Sequence, residues 1–173
     1  MADFISGCIH WFFDTWGNEN TFFIGSRMIK PFRVHHTKPQ NLLGTHFFTT
    51  NADASMANIP MLIAALLIPI DWQWSQLLSL LVAATATFGW PTSQVHKWAH
   101  MAHPPRFVTF LQRSGLILGR QHHGVHHTAP HTIYYCITTG WCNPILTRIG
   151  FWRKLERGII AVTGWAPRAG EDH

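Results

Sequence analysis

Residues 54–95 read ASMANIPMLIAALLIPI-D-WQWSQLLSLLVAATATFGWPTSQV, and Asp71 is the only charged side chain in this stretch. A helix that crosses the hydrocarbon core of a bilayer needs about 20 predominantly apolar residues, within a range of about 17–25. Residues 54–70 and 72–95 each meet this length, and Pro69 and Asp71 favour a turn between them. The stretch therefore predicts a transmembrane helical hairpin. The alternative is one buried hairpin in the core of a water-soluble domain.

The composition of the whole chain favours the membrane interpretation. Of 173 residues, 47% are hydrophobic and 12% are charged, whereas soluble domains are about 25% charged. This apolar content excludes a disordered chain. The three cysteines form no C-x-x-C pair, which excludes a thiolate zinc site and makes a disulfide framework improbable. The length suits a single domain over residues 1–173.

All 13 lysines and arginines lie outside the hairpin, and the formal net charge is +5. Basic flanks on both sides of a hairpin are expected on the cytosolic side of a membrane. Attraction to anionic membrane lipid accounts for this charge, so we expect no nucleic-acid partner. Five basic residues are candidates for contacting a lipid phosphate, although anchoring without ligand specificity is an equal alternative: Arg27, Arg33, Arg120, Arg153 and Lys154.

Twelve of the 13 histidines fall into four clusters. The clusters are HWFFD (residues 10–14), FRVHHTKP (32–39) with His46 further on, HKWAH (96–100) with His103 after it, and HHGVHHTAPH (122–131). On a helix, residues four apart share a face. His96 and His100 therefore point together, as do His123 and His127, with His126 on a face similar to that of His123. Imidazoles held this close repel as cations, and a metal ion stabilises their neutral, convergent arrangement, so the clusters predict a metal site.

The residues narrow the choice of metal only in part. The zinc-protease signature H-E-x-x-H is absent, because Lys97 and Trp98 follow His96. Imidazole accepts iron, zinc, copper or nickel, so ligand type leaves the metal open. Reaction logic favours two irons, since a redox-capable site beside a bilayer can activate O₂ against an unactivated C–H bond and redox-inert zinc cannot.

The spacing H-x3-H followed by H-x2-H-H resembles the histidine boxes of membrane fatty-acyl desaturases and hydroxylases. A more specific set consists of ADFISGCIHWFFDTWG, PFRVHH, HKWAHM, PRFVTFLQ and HHGVHHTAPHTIYYCITTGWCNP, followed by IGFWRKLE. Together these segments resemble the plasmalogen-forming branch of the Kua-type lipid desaturase family over almost the whole chain. The resemblance implies an all-α integral membrane protein, in which a histidine-rich di-metal helical cap lies on the cytosolic side of the hairpin.

The resemblance also implies an activity. It implies a di-iron enzyme that uses O₂ to desaturate the 1-O-alkyl chain of a plasmanylethanolamine-type ether phospholipid next to the oxygen, which gives the vinyl ether of a plasmalogen. Electrons would come from a donor such as cytochrome b5 or a ferredoxin. The expected location is the endoplasmic reticulum membrane in a eukaryote or the inner membrane in a bacterium. Two alternatives stay open: a di-iron acyl-lipid desaturase or hydroxylase, for instance of phosphatidylglycerol acyl chains, and a non-enzymatic histidine-rich membrane metal-binding protein.

Matching the family motifs residue by residue implies eight iron ligands: His10, His35, His36, His96, His100, His123, His126 and His127. Asp14 is implied as a further functional carboxylate that either ligates a metal or orients a ligand, and His122 and His131 are candidates for orienting ligands. We exclude His46, which is one residue out of step with the family pattern, and we expect His103 and His173 at the surface. Because relatives carry additional hydrophobic sequence before ADF, we expect this chain to lack an N-terminal membrane segment.

Overall fold

The computed structural model of the chain describes residues 1–168, and His173 lies outside them. The described residues form helices and contain no β-strand, which confirms the all-α prediction for this part of the chain. A π-helical turn (Gly25–Ile29) leads into the second helix, and a 3-10 helix (Pro39–Gly44) follows it. The α-helices are α1 (Ala2–Thr15), α2 (Lys30–Thr37), α3 (Phe47–Leu67), α4 (Gln73–Gly89), α5 (Thr92–His100), α6 (Arg106–Arg113), α7 (Arg120–His126), α8 (Cys142–Arg148) and α9 (Phe151–Thr163).

The apolar stretch forms a helical hairpin of α3 and α4, which pack against each other across residues 68–72. Its boundaries differ from the predicted ones. The first helix already begins at Phe47, and the second ends at Gly89 rather than at Val95. Pro91 explains the second difference, because it has no N–H to donate and its ring clashes with the preceding helical turn. Among residues 1–168, no helix combines the length and the apolar character needed to cross a membrane.

The outer face of the hairpin is apolar and exposed in the isolated chain. Leu66 is 85% exposed, Leu67 75% and Leu80 66%, and the indoles of Trp72 and Trp74 are more than half exposed. An apolar face of this kind is uncommon on a monomeric soluble protein and marks an interaction surface.

Two clusters of buried residues position α1, α5, α8 and α9. The larger cluster joins α1, α8 and α9 to the chain at Tyr135, and it contains Trp11, Trp16, Tyr135, Cys136, Leu146 and Trp152. Within it the rings of Trp11 and Trp152 stack at 5.7 Å, and Trp11 Nε1 donates a hydrogen bond to the buried Glu156. The smaller cluster packs Val95 and Ala99 of α5 against Leu118 and Ile137. Buried aromatic packing of this kind dominates core energetics, so α1 and α5 are both firmly positioned.

Candidate metal centre

Helices α1, α2, α5 and α7 bring nine candidate ligands together in two groups. The five-histidine group consists of His35, His96, His100, His123 and His127. The Asp14 group consists of His10, Asp14, His36 and His126. Within each group, the candidate ligand atoms all lie within 4.8 Å of one another. All nine residues that were assigned from the sequence therefore fall in one of the two groups.

Helical spacing decides which residue enters which group. Side chains four residues apart, such as His96 and His100, enter the same group, because they lie on one face of a helix. Adjacent side chains enter different groups, because successive residues on a helix point about 100° apart. Thus His35 is separated from His36, and His127 from His126. His126, expected on a face similar to that of His123, lies in the other group, and its ring centroid is 5.9 Å from that of His123.

In the five-histidine group, the Nε2 atoms converge on one point. Nε2 of His96 lies 3.0 Å from that of His35, 2.8 Å from that of His123 and 3.2 Å from that of His100. Nε2 of His123 lies 2.9 Å from that of His100 and 3.1 Å from that of His127. A neutral imidazole nitrogen carries either one proton or one lone pair. Nitrogens that all face one point therefore cannot all be satisfied by hydrogen bonds to each other.

The same spacing fits a metal ion. Nitrogen ligands at about 2.0–2.1 Å from an ion, and at right angles to one another, lie about 3 Å apart. The Nε2 separations of 2.8–3.2 Å are close to that value. The donors therefore fit a divalent transition metal, and an all-imidazole set is compatible with iron as well as with zinc or copper.

The Asp14 group is buried, and several of its polar atoms have no hydrogen-bond partner among the described residues. Oδ2 of Asp14 lies 3.3 Å from Nε2 of His10, 3.4 Å from that of His36 and 3.6 Å from that of His126. Both carboxylate oxygens and Nε2 of His10 are nevertheless buried without a hydrogen-bond partner among the described residues. A buried carboxylate without partners is costly unless a cation or donors satisfy it. A metal ion bound between Asp14 and the three rings would satisfy these atoms.

Backbone carbonyls orient two rings of the Asp14 group. Nδ1 of His10 lies 3.1 Å from the carbonyl oxygen of Tyr135, and Nδ1 of His126 lies 2.8 Å from that of Ile133. Since a carbonyl only accepts, each Nδ1 carries the proton, and each Nε2 keeps its lone pair directed toward the group. A hydrogen bond of this kind on the far nitrogen is the usual way in which a protein orients a metal-binding histidine.

The two groups are neighbours. The rings of His36 and His127 lie 5.4 Å apart, and those of His10 and His96 lie 5.7 Å apart. Two-metal sites hold their ions about 3.5–4 Å apart, so adjacent ions could cooperate in one reaction.

Burial keeps the imidazoles neutral. It lowers the pKa of His10 to about 3. Together with the neighbouring imidazoles, it lowers the pKa values of His35 and His127 to about 2. The pKa values of His96 and His123 also lie well below the ordinary value, for the same reasons. Burial acts to raise the pKa of Asp14, but the facing imidazoles outweigh it and hold the pKa below its usual range. At neutral pH the five-histidine group and His10 therefore present neutral nitrogens, and Asp14 presents a carboxylate, which is the protonation state that metal binding requires.

Sequence reasoning missed the residues that hold the chain behind the Asp14 group. The carboxylate of Asp3 accepts hydrogen bonds from the backbone N–H groups of Thr138, Thr139, Gly140 and Cys142, at 2.8–3.2 Å. This ties the first turn of α1 to the segment that continues from Tyr135, whose carbonyl orients His10. Asn143 closes the segment by bonding both the N–H and the carbonyl of Cys136.

The remaining histidines lie at the edge of the centre or away from it. The ring of His131 stacks on that of His36 at 4.7 Å, and its Nδ1 bonds the carbonyl of His126. His122 faces Asn143, at 3.2 Å, and the ring of Tyr134. His46 and His103 are exposed and belong to neither group.

The five basic residues predicted to contact phosphate have different surroundings. Arg27 is exposed and pairs with Asp53, and Arg153 lies 3.6 Å from Glu156. Lys154 and Arg120 are exposed. Arg33 requires a correction, because its guanidinium is buried and donates to the carbonyls of Trp16 and Gly17, at 2.9 and 3.0 Å. It stabilises the end of α1, so we do not retain it as a phosphate contact.

The fold and the site define a helical protein with a buried histidine-rich centre that fits two metal ions. Residues 1–170 match the family model described as the lipid desaturase domain, and the chain belongs to this family. The resemblance inferred from the motifs is thereby confirmed.

Individual relatives agree with this membership. The chain is 41% identical over 167 residues to the plasmanylethanolamine desaturase of Myxococcus xanthus, a match that covers 96% of this chain and 59% of the relative. It is 42% identical over 177 residues to plasmanylethanolamine desaturase 1 of Mus musculus, which covers 98% of this chain and 65% of that protein. It is 31% identical to fatty acid desaturase 4, chloroplastic, of Arabidopsis thaliana, over 98% of this chain and 51% of the relative. The chain thus spans about three-fifths of the length of the first two relatives. No solved structure matches it.

Proposed function

We propose that the chain is a membrane-bound di-iron desaturase that converts the 1-O-alkyl chain of plasmanylethanolamine-type ether phospholipids to the 1-alkenyl (vinyl ether) chain of plasmalogens. The observation that carries this proposal is the convergence of eight histidines and Asp14 into two adjacent groups. Within residues 1–168, Nε2 of His10 and both carboxylate oxygens of Asp14 are buried there without a hydrogen-bond partner. Membership of the lipid desaturase family and the two relatives named plasmanylethanolamine desaturase support the choice of substrate.

The reaction removes one hydrogen from each of the first two carbons of the 1-O-alkyl chain. With O₂, two electrons and two protons it yields the vinyl ether and two waters, and the electrons come from a donor such as cytochrome b5 or a ferredoxin. The five-histidine group would hold one iron and the Asp14 group the other, and the irons supply the O₂ chemistry that side chains cannot. The protein keeps the imidazoles neutral by burial and fixes His10 and His126 through the carbonyls of Tyr135 and Ile133.

We further propose that the α3–α4 hairpin inserts into the membrane with the metal centre on the cytosolic side. The exposed leucines and the indoles of Trp72 and Trp74 support this, since interfacial tryptophans are typical of membrane-bound segments. In a eukaryote this membrane would be the endoplasmic reticulum, and in a bacterium the inner membrane.

The test is expression of the chain in cells that lack plasmalogens, with mass spectrometry of acid-labile vinyl ethers and iron analysis of the purified protein. We expect vinyl ethers and two irons per chain. In His123→Ala we expect product to fall at least a hundredfold while membrane insertion is unchanged, because Nε2 of His123 lies within 3.1 Å of three other ligand nitrogens. His46→Ala, at an exposed histidine outside both groups, should keep full activity.

The main competing function is desaturation of an acyl chain, which the name of the Arabidopsis relative, fatty acid desaturase 4, favours. Iron-loaded, reduced protein that forms only acyl-chain double bonds would decide for this alternative. Weak, exchangeable zinc in place of two irons would instead favour a non-enzymatic metal-binding protein.

A further inference from the structure

A cavity lies beside the metal centre and takes no part in holding metal. It is a groove of about 1040 Å³ between α6, the start of α7 and residues 139–144. This is at the upper end of the range for small-molecule sites, which is about 300–1,000 Å³. Its polar lining includes Gln112, Arg113, Arg120, Gln121 and His122. No acidic side chain is among the described residues that line it.

The two arginines of the groove have no carboxylate partner. Within residues 1–168, no aspartate or glutamate forms an ion pair with Arg113 or Arg120. Both side chains are exposed and can turn toward a ligand. Guanidinium groups bind phosphate through paired, charge-assisted hydrogen bonds. The chemistry of the groove therefore matches a phosphate group.

The groove adjoins the metal centre, because two residues that line it are next to candidate metal ligands in the sequence. Met101, which lines it, directly follows His100, and His122 directly precedes His123. Arg120 begins α7, the helix that carries His123 and His126 into the metal centre.

A site at this position suits the proposed substrate. In an ether phospholipid, the phosphorus is only six bonds from the reacting carbon next to the ether oxygen. Single bonds of about 1.5 Å limit that separation to about 7–8 Å. An enzyme that acts at this carbon must therefore bind the phosphate beside its metal centre. Desaturation in the middle of an acyl chain would place the phosphate much further away.

The rim of the groove suits a ligand that arrives from a membrane. The ring of Trp141 is 65% exposed and is fixed by a hydrogen bond of 2.7 Å from Nε1 to the carbonyl of Gly115. Ile117 and Pro144 also line the groove. Apolar side chains beside two arginines match a lipid that has an anionic phosphate in its head group and apolar chains.

We propose that Arg113 and Arg120 bind the phosphate of the substrate phospholipid in this groove and thereby position the 1-O-alkyl chain at the metal centre. The assignment rests on the function proposed above. It predicts that these arginines determine the affinity for the lipid and leave the metals undisturbed.

The test compares wild type, Arg113→Gln/Arg120→Gln and the control Arg106→Gln, which removes an exposed charge from the same helix outside the groove. One arm measures kcat and KM for a short-chain plasmanylethanolamine at concentrations below its critical micelle concentration. The other measures, by calorimetry on the iron-loaded chain without O₂, the Kd of glycerophosphoethanolamine and of inorganic phosphate. We expect the double variant to raise KM and the Kd of glycerophosphoethanolamine at least tenfold, with iron content and kcat within twofold of wild type. Arg106→Gln should match wild type.

Two results overturn the assignment. One is a double variant that binds glycerophosphoethanolamine as wild type does. The other is inorganic phosphate that binds as tightly as the phosphodiester and is not displaced by lipid, which makes the groove a general anion site. The outcomes also separate the two proposals. If the double variant forms vinyl ether with an unchanged KM, the proposed reaction is supported and the assignment of the groove as the phosphate site is overturned. Arginine-dependent binding without vinyl ether supports the groove and overturns the reaction.

Discussion

The five-histidine group and the Asp14 group lie side by side and are built differently. The first contains only neutral rings, and Nδ1 of both His123 and His127 is buried without a hydrogen-bond partner among residues 1–168. The second contains a carboxylate, and backbone carbonyls fix two of its rings. Helical spacing pairs four of the five rings in the first group, whereas the second also depends on the segment at residues 133–143. The two halves of the centre should therefore respond to different substitutions.

The largest expected effect is that of Asp14→Asn. This substitution keeps the shape of the side chain and removes the only negative charge of the Asp14 group. Three imidazoles would remain there, while five remain in the other group. We expect the iron content to fall from two to one per chain and vinyl-ether formation to fall at least a hundredfold, measured by metal analysis and lipid mass spectrometry.

The control for this experiment is Asp71→Asn, at an exposed position in the turn of the hairpin. It should retain both irons. If Asp14→Asn also retains two irons and full activity, Asp14 neither ligates nor orients a ligand.

A smaller effect, confined to the same group, is expected for Asp3→Asn. Asp3 is a positioning residue, because its four backbone hydrogen bonds hold the segment whose carbonyl at Tyr135 orients His10. Loss of a partner that orients a metal ligand costs about 10–100-fold in metal affinity. We expect an affinity loss of about tenfold at the Asp14 group and none at the five-histidine group.

Titration with cobalt distinguishes the two groups, because a site with a carboxylate ligand and an all-imidazole site give different visible spectra. Asp53→Asn, an exposed carboxylate that pairs with Arg27, is the matched control. Equal weakening of both sites would mean that Asp3 supports the fold in general and not the orientation of His10.

The same comparison shows which parts of the site could be predicted from sequence. The pairs His96/His100 and His123/His127 follow from helical periodicity, and the structure places each pair in one group. Which of two adjacent histidines enters which group could not be predicted, because it depends on the side from which α1 approaches α2 and α7. Asp3 gave no signal, because its partners are backbone N–H groups more than 130 residues away, and every residue except proline has such a group.

The fold, like the site, could be predicted from sequence only in part. The long apolar stretch predicted a hairpin, and α3 and α4 form one. Its ends were misplaced because apolar content continues past Pro91, where the backbone can no longer form the helical hydrogen bond. The helix boundary matters for function, since it starts a new helix, α5, in a direction that brings His96 and His100 to the centre.

The smallest expected effect is a pH dependence of the metal-free chain in detergent. In the unfolded chain the imidazoles bind protons below a pKa of about 6.5. In the folded chain the pKa is about 4 for His100, about 3 for His10 and about 2 for His35 and His127. Between about pH 6.5 and pH 4 the unfolded state therefore binds more protons, and the free energy of unfolding decreases as the pH falls. The lowered pKa of Asp14 has its effect below this window, since its carboxyl remains ionised in the folded chain throughout.

Each proton bound only by the unfolded chain changes the free energy of unfolding by about 1.4 kcal/mol per pH unit. For a chain of this size, about 1 kcal/mol corresponds to a shift of roughly 2–4 °C in the unfolding midpoint. We expect thermal unfolding, followed by circular dichroism, to shift to lower temperature by at least about 10 °C from pH 6.5 to pH 5. His35→Gln removes one of the responsible groups and should reduce the slope, whereas His103→Gln, at an exposed histidine, should leave it unchanged. A midpoint that rises as the pH falls would contradict the inference that burial keeps these imidazoles neutral and ready to bind metal.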